Sequence, residues 1–361
     1  MLSRFSLLSL AVSGVMACFA APPTVAQTIT YDMVSVGNPG NANDTGGTGN
    51  GAVAYQYQIG TYATTIGQYT AFLNAVAQTD TYTLYNDSMA TDLNVAGILQ
   101  SGSSGSFAYS VIANGGDSAN RPITYVSWWD AARFSNWMAN GQPTGGQGPT
   151  TTENGAYNVN GATTGSAVAK NATNPNTGAA PTFFIPGEDE WYKAAYYSPT
   201  LNSGSGGYYA YATQSDAAPG NVIGASANQA NYIAASDVFS VTQSGTYDLS
   251  QNYLTNVGAF SGSGSFYGTF DQSGNVYQWN DQDGTASSTR GLRGGSWNNG
   301  DPTNGAVYVS SSYSLTADPS DENSLIGFRL ASPFVVPEPT TWAMVITAAG
   351  IGLMVRRRGQ T

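Results

Sequence analysis

"VSWWDAARFSNWMANG", residues 126 to 141, is the stretch on which the reading of this chain turns. Ser127 is a good N-cap residue, and Asp130 stands three positions on, where its carboxylate can answer the cap. Phe134, Trp137 and Met138 then share one face, and Gly141 supplies a stop. The pattern predicts an amphipathic helix. Upstream, "TTIGQYTAFLNAV" repeats the logic: Thr65 and Gln68 are spaced as a capping box, and Tyr69, Phe72, Leu73 and Val76 follow at i, i+3, i+4 and i+7. Downstream, "PGEDEWYKAAYY" sets Glu188, Asp189 and Glu190 in a first turn, where the helix dipole favours negative charge, with Trp191, Ala194 and Ala195 facing inward. Two strands, Tyr31–Val36 and Ala52–Ile59, are expected around a glycine-asparagine loop. Between Gln142 and Pro181 nothing is periodic, and a long surface loop is expected.

Composition removes most kinds of site chemistry. The 361 residues include no histidine and one cysteine, Cys18. Without imidazole there is no Ser-His-Asp or Cys-His arrangement, no histidine metal site, and no side chain that ordinarily titrates near neutrality. Carboxylates, hydroxyls, amides and backbone carbonyls remain, a donor set suited to hard cations such as calcium. The central body, Gln27 to Val336, carries Arg121, Arg133, Lys170, Lys193, Arg290, Arg293 and Arg329 against every acidic residue of the chain except Glu338, a net charge of −14. Such a body repels nucleic acid and anionic lipid. The run Glu188 to Glu190 reads as helix capping, because neighbours at a helix start point in different directions and cannot face each other across a sugar. The tryptophans sit at helix and strand positions, where core packing accounts for them.

Both ends read as addresses. "MLSRFSLLSLAVSGVMACFAAPPTVAQ" has Arg4 ahead of an apolar run and small residues for cleavage near Ala21 or Ala26, so residues 1–26 are expected to be a secretory signal. A lipoprotein reading, with Cys18 acylated, is weakened by Met16. At residues 337–361, Pro337-Glu338-Pro339 precedes an apolar stretch from Trp342 to Val355 and the cluster Arg356, Arg357 and Arg358. That stretch falls short of the roughly 20 residues that span a bilayer comfortably, so one reading is a marginal anchor with its basic end in the cytoplasm. The three parts in this order also resemble the PEP-CTERM sorting signal, which implies an exosortase system as processing partner.

Five segments, "ITYVSWWDAARFSNWM", "FFIPGEDEWYKAAYY", "GNVYQW", "RGGSW" and "GFRLA", resemble in order and spacing the formylglycine-generating enzyme (sulfatase-modifying factor) family, from about Tyr31 to Ala331. The resemblance implies an α+β fold, a variant of the C-type-lectin fold with low regular secondary structure, long loops and bound calcium, over 27–336 as one domain. In catalytic members the Gly-Gly-Ser-aromatic motif leads into a copper-holding cysteine pair. Counted from Gly294-Gly295-Ser296-Trp297, those places fall on Asn299 and Asn304, and an amide neither holds Cu(I) nor passes electrons to oxygen, so no copper is expected. Related sulfoxide synthases bind iron through histidines, and this chain has none. The family's calcium positions fall on Asp271, Gly274, Val276 and Gln278 in "FDQSGNVYQW", and a second set on Asn231, Tyr232 and, approximately, Asp248. The expectation is an exported, non-catalytic, calcium-stabilised binding or structural protein of the cell envelope or exopolysaccharide matrix, with polysaccharide or a surface protein as partner. The alternative is an enzyme of different chemistry built on carboxylates such as Asp281 and Asp283.

Overall fold

The computed structural model describes residues 28–234, 237–300 and 305–333. The expected signal peptide, Asn304, and the sorting signal with Pro337, Glu338, Pro339 and Arg356 to Arg358 lie outside the described residues. The protein is α+β with little regular structure, as the resemblance implied. Strands β1 (Met33–Val36) and β2 (Tyr57–Gly60) pair antiparallel, each shorter than the sequence pattern suggested, because glycine-rich chain between them makes its own turns. Then come helix α1 (Ile66–Val76), a single turn α2 (Ser88–Thr91), the hairpin β3 (Ile98–Ser101) and β4 (Ala108–Val111), and helices α3 (Trp128–Ala139) and α4 (Glu188–Tyr196). A two-residue pair, β5 (Tyr197–Ser198) and β6 (Gly207–Tyr208), precedes β7 (Tyr277–Asn280), β8 (Arg290–Arg293), β9 (Leu315–Ala317), β10 (Ile326–Phe328) and β11 (Ala331–Pro333). One sheet runs β1-β2-β11, the other β10-β7-β8-β9, with β10 parallel to β7 and the remaining pairs antiparallel. Among the described residues no helix is long and apolar enough to cross a membrane.

Both capping boxes form. The Thr65 hydroxyl accepts the Gln68 N–H and the Gln68 amide oxygen accepts the Thr65 N–H, while Ser127 and Asp130 do the same at α3. Helix α3 departs from expectation in being buried on every side rather than on one stripe. A helix so placed is the centre of a core, and Phe134 packs at once on Phe72, Trp137 and Phe328. Its polar residues must then find partners inside. The Asn136 amide donates to Thr152 O and Tyr157 O and accepts the Tyr157 N–H, and the Arg133 Nε donates to Glu153 Oε1 at 2.8 Å.

Those partners come from the segment expected to be a surface loop. Residues 142–181 are not merely superficial: Pro149–Glu153 make a wide helical turn that buries Thr151, Thr152 and Glu153, and Tyr157 seals against Trp128. The segment lacks periodicity because it serves α3 with backbone carbonyls and one carboxylate instead of with an apolar face. The tryptophans of the described residues, Trp128, Trp129, Trp137, Trp191, Trp279 and Trp297, are all core.

Glu153→Ala leaves the Arg133 guanidinium buried without its counter-charge and should cost about 3–5 kcal/mol in urea unfolding. Replacing Arg133 and Glu153 together by Met and Leu should cost clearly less than the single loss. Equal cost for single and double variants would show that the pair does not act as a unit.

Candidate functional site

The ground expected to carry function lies where β7, β8 and the turn of residues 270–276 meet α4. Strand β7 is buried on both faces, so the Gln278 side chain has no solvent to turn to. Its Oε1 accepts from the Trp191 indole at 2.9 Å and from the Arg329 Nε at 2.6 Å, and its Nε2 donates to the Asp271 carbonyl at 2.8 Å. The Arg329 fork goes on to Gly60 O and Phe270 O, at 2.9 and 2.6 Å. Asp271 sits at φ +57, with its carboxylate accepting the Gly258 N–H at 2.7 Å. Burial pushes that carboxyl up to about 6, against the pull of the Gly258 N–H and the Arg329 charge.

This arrangement does not fit the calcium site expected at Asp271, Gly274, Val276 and Gln278. A cation needs oxygen lone pairs converging on a void. Here the one side-chain oxygen of Gln278 already receives two donors, one of them a guanidinium aimed into the same cluster. The second set fares no better. The Asn231 amide donates to Tyr253 O and Asn275 Oδ1, and Tyr232 O accepts from Asn221 and Ser240. Asp248 is exposed, its carboxylate closing a turn on Ser250. The structure does lay the two sets side by side, since Asn275 N–H bonds Asn231 O at 2.8 Å across the Gly274 turn. Among the described residues no three His, Cys, Asp or Glu side chains gather to hold a metal.

At the family's cysteine ground, Asn299 folds onto its own loop. Its Oδ1 accepts the Ser296 N–H at 2.7 Å and the Ser296 hydroxyl at 3.0 Å. Gly294 and Gly295 hold φ values of +96 and +72, and a Cβ on Gly295 would lie 2.7 Å from Tyr308 O, so the glycines permit a close backbone approach. Trp297 stacks on Tyr253 at 5.0 Å and 4°, inside a small second core with Phe239, Leu254 and Val276.

The carboxylates of α4 disperse as expected of capping groups. Glu188 pairs with Arg293, Asp189 accepts the Gly51 N–H, and Glu190 accepts the Gly187 N–H and the Tyr55 hydroxyl. Asp281 and Asp283 do not face one another. Asp281 is buried, 3.0 Å from Arg290 and bonded by the Tyr157 hydroxyl, with burial pushing it up to about 7. Asp283 is exposed and turned to Thr285. In the sequence Arg293 and Arg329 show only as letters within motifs. Their partners lie 105 residues away at Glu188 and 269 away at Gly60, separations that no local spacing signals.

Few helices, small sheets and a Gly-Gly-Ser-Trp turn set over them define an α+β protein of the formylglycine-generating-enzyme fold. The chain belongs to the sulfatase-modifying factor enzyme 1-like domain family, which matches residues 22–333. No curated protein sequence matches it. Among solved structures it is similar to Treponema denticola variable protein 1, at 18% identity over 86% of this chain and 98% of that one, TM-score 0.49. It is also similar to CarF, at 19% identity over 85% and 100%, TM-score 0.45, and to PvdO from Pseudomonas aeruginosa, at 17% over 84% and 92%, TM-score 0.40.

The raised Asp271 carboxyl has a signed consequence. A folded-state value near 6, above the ordinary value near 4, favours the fold below pH 4 and loses that contribution as pH climbs through 6. Asp271→Asn should remove this part of the pH dependence, so its melting temperature should fall less than the wild type's between pH 4 and 7. At fixed ionic strength, calcium should shift both proteins equally. A calcium shift confined to the wild type would restore Asp271 as a ligand.

Proposed function

We propose that the chain is an exported, non-catalytic binding protein of the cell envelope or its surrounding matrix, retaining its family's frame without that family's reactive atoms. The observation that carries this reading is Asn299. The side chain at the first cysteine position is an amide whose oxygen is consumed by Ser296, and Asn304 supplies no thiol at the second. Neither position carries a thiolate that could hold Cu(I) or be oxidised to a disulfide. The alternative enzyme is disfavoured by the separation of Asp281, sealed beside Arg290, from Asp283 in solvent. Export rests on the two ends of the sequence, with an exosortase as processing partner. Calcium rests on the resemblance alone, and the bonding of Gln278 argues against it at the first site.

The purified protein, with or without copper, should convert no cysteine-containing sulfatase peptide to formylglycine. Aldehyde above the level of a protein-free control, read by mass spectrometry, would overturn the reading.

Sorting is tested separately. In a host that carries its exosortase, the mature extracellular protein should lack Arg356 to Arg358. A C-terminus intact through Thr361 would count against processing.

A further inference from the structure

A large hollow lies away from the cysteine ground, on the flank where α1 meets residues 28–32. It is a groove of about 1100 Å3, above the usual 300–1,000 Å3 of small-ligand sites, so it has room for more than one ring of a ligand. We infer that this groove is a binding site for a neutral oligosaccharide, with Asp32, Tyr62, Asn120 and Asn256 as its hydrogen-bonding groups. The inference rests on the binding reading above and supplies its site and ligand class.

The first argument is the state of these four side chains. Many polar side chains in the hollows of this protein serve the fold. In the neighbouring polar hollow of about 600 Å3, Asn41 and Asn202 donate to backbone carbonyls, Asn43 caps Ala52, and Asp44 receives two N–H groups and the Tyr192 hydroxyl. In the large groove, Gln68 and Asn74 are similarly spent, on Thr65, Thr30 and Tyr109. Asp32, Tyr62, Asn120 and Asn256 differ, since among the described residues their side chains make no hydrogen bond and all reach the same groove. Asp32, Asn120 and Asn256 are exposed and Tyr62 is half-buried, so all four are open to a ligand in the groove.

The second argument is preorganisation. Val257 N–H bonds Asn120 O at 2.8 Å, joining the two asparagine loops, and Gly67 N–H bonds Ala119 O at 2.9 Å, fixing them to α1. Thr61 N–H bonds Asp32 O at 2.9 Å, which ties the backbone of Asp32 to the loop that carries Tyr62. The Tyr62 ring stacks on Phe270 at 5.6 Å and 28°, and Gly258 at φ +72 lies so close that a Cβ there would come 2.7 Å from the ring. The rim is tied on every side, and a ligand orders little on arrival.

The third argument selects the ligand. The groove holds no cation: Arg121, its nearest neighbour in sequence, turns its guanidinium onto Asn114 O, Gly115 O and the Ser118 hydroxyl. Phosphate, sulfate and uronate therefore find no partner and meet a surface of their own sign. The lining interrupts Ile29, Ala71 and Val111 with threonines and amides, so it offers apolar faces beside hydrogen-bonding groups and no unbroken apolar track for a lipid chain. An extended peptide cannot add to the edge of β4, because the Asn74 amide already takes both Tyr109 O and the Tyr109 N–H. What remains is a ligand with hydroxyls that donate and accept and with C–H faces for an aromatic ring, and amides, a phenol and a lone carboxylate suit vicinal hydroxyls.

Bonds made in competition with water give weak single-site affinity, so an immobilised array, where density adds avidity, is the suitable probe. The purified full chain is applied to neutral gluco-, galacto- and manno-oligosaccharides beside uronic-acid and sulfated ones. Retention on one or more neutral probes is expected, with about a tenfold loss in the Asn120→Ala/Asn256→Ala double variant and an unchanged melting temperature, since neither side chain serves the fold. Preference for the acidic probes would overturn the ligand class. Neutral binding that the double variant leaves intact would overturn the groove while sparing the binding reading. Retention of no probe would end this inference, whereas the non-catalytic reading falls only with formylglycine production.

Discussion

The Arg329 guanidinium carries more of this structure than any apolar contact. A buried cation needs acceptors close around it, and here each nitrogen of the fork finds one: the Gln278 amide oxygen, the Gly60 carbonyl at the end of β2 and the Phe270 carbonyl at the start of the functional turn. One side chain thus fixes the end of β2 in the first sheet, the inner strand β7 of the second and the turn that precedes β7. Fixing Phe270 fixes Tyr62 stacked on it, and Asp271, next in the chain, holds Gly258 and with it the rim of the groove. Two of the calcium ligands implied by the resemblance, Asp271 and Gln278, stand inside this network. A positive charge that already organises the oxygens leaves no need for a second one there.

What could be read from the sequence was local. Capping boxes at Thr65 and Ser127 use neighbours three residues apart, and hydrophobic recurrence in α1 needs only one turn of lookahead, so both are found in the structure as the spacing predicts. The motifs carried the fold as a whole. What could not be read was direction. The letter Gln278 says that an amide replaces a carboxylate, but not that its oxygen faces Trp191 and Arg329. The letters of residues 142–181 show no period, and the burial of Glu153 under Arg133 comes from a helix whose polar residues need partners that no spacing announces. The groove was invisible for the same reason: Asp32, Tyr62, Asn120 and Asn256 come from four loops and share nothing in sequence but polarity.

The Gly-Gly-Ser-Trp turn is set by its backbone and its packing. Its glycines answer a backbone requirement at positive φ, and its tryptophan packs on Tyr253, so neither depends on the side chain at position 299. Once an amide occupies that place it is drawn into the turn by Ser296, which supplies the hydrogen bonds that a thiol would have lacked.

Among the described residues, the interior of this protein has also claimed all but one of the basic residues. Arg121, Arg133, Lys193, Arg290, Arg293 and Arg329 are buried, and Lys170, the seventh of the central body, lies with its ammonium 3.9 Å over the Phe184 ring. A protease that cuts after arginine or lysine must draw that side chain into its own pocket together with extended backbone on both sides. The folded body offers such an enzyme one half-covered handle, and it offers amine-directed reagents no more. Its lifetime among extracellular hydrolases of that specificity is therefore governed by how often it opens, so a stabilising contact anywhere in the core acts as protection for the whole surface.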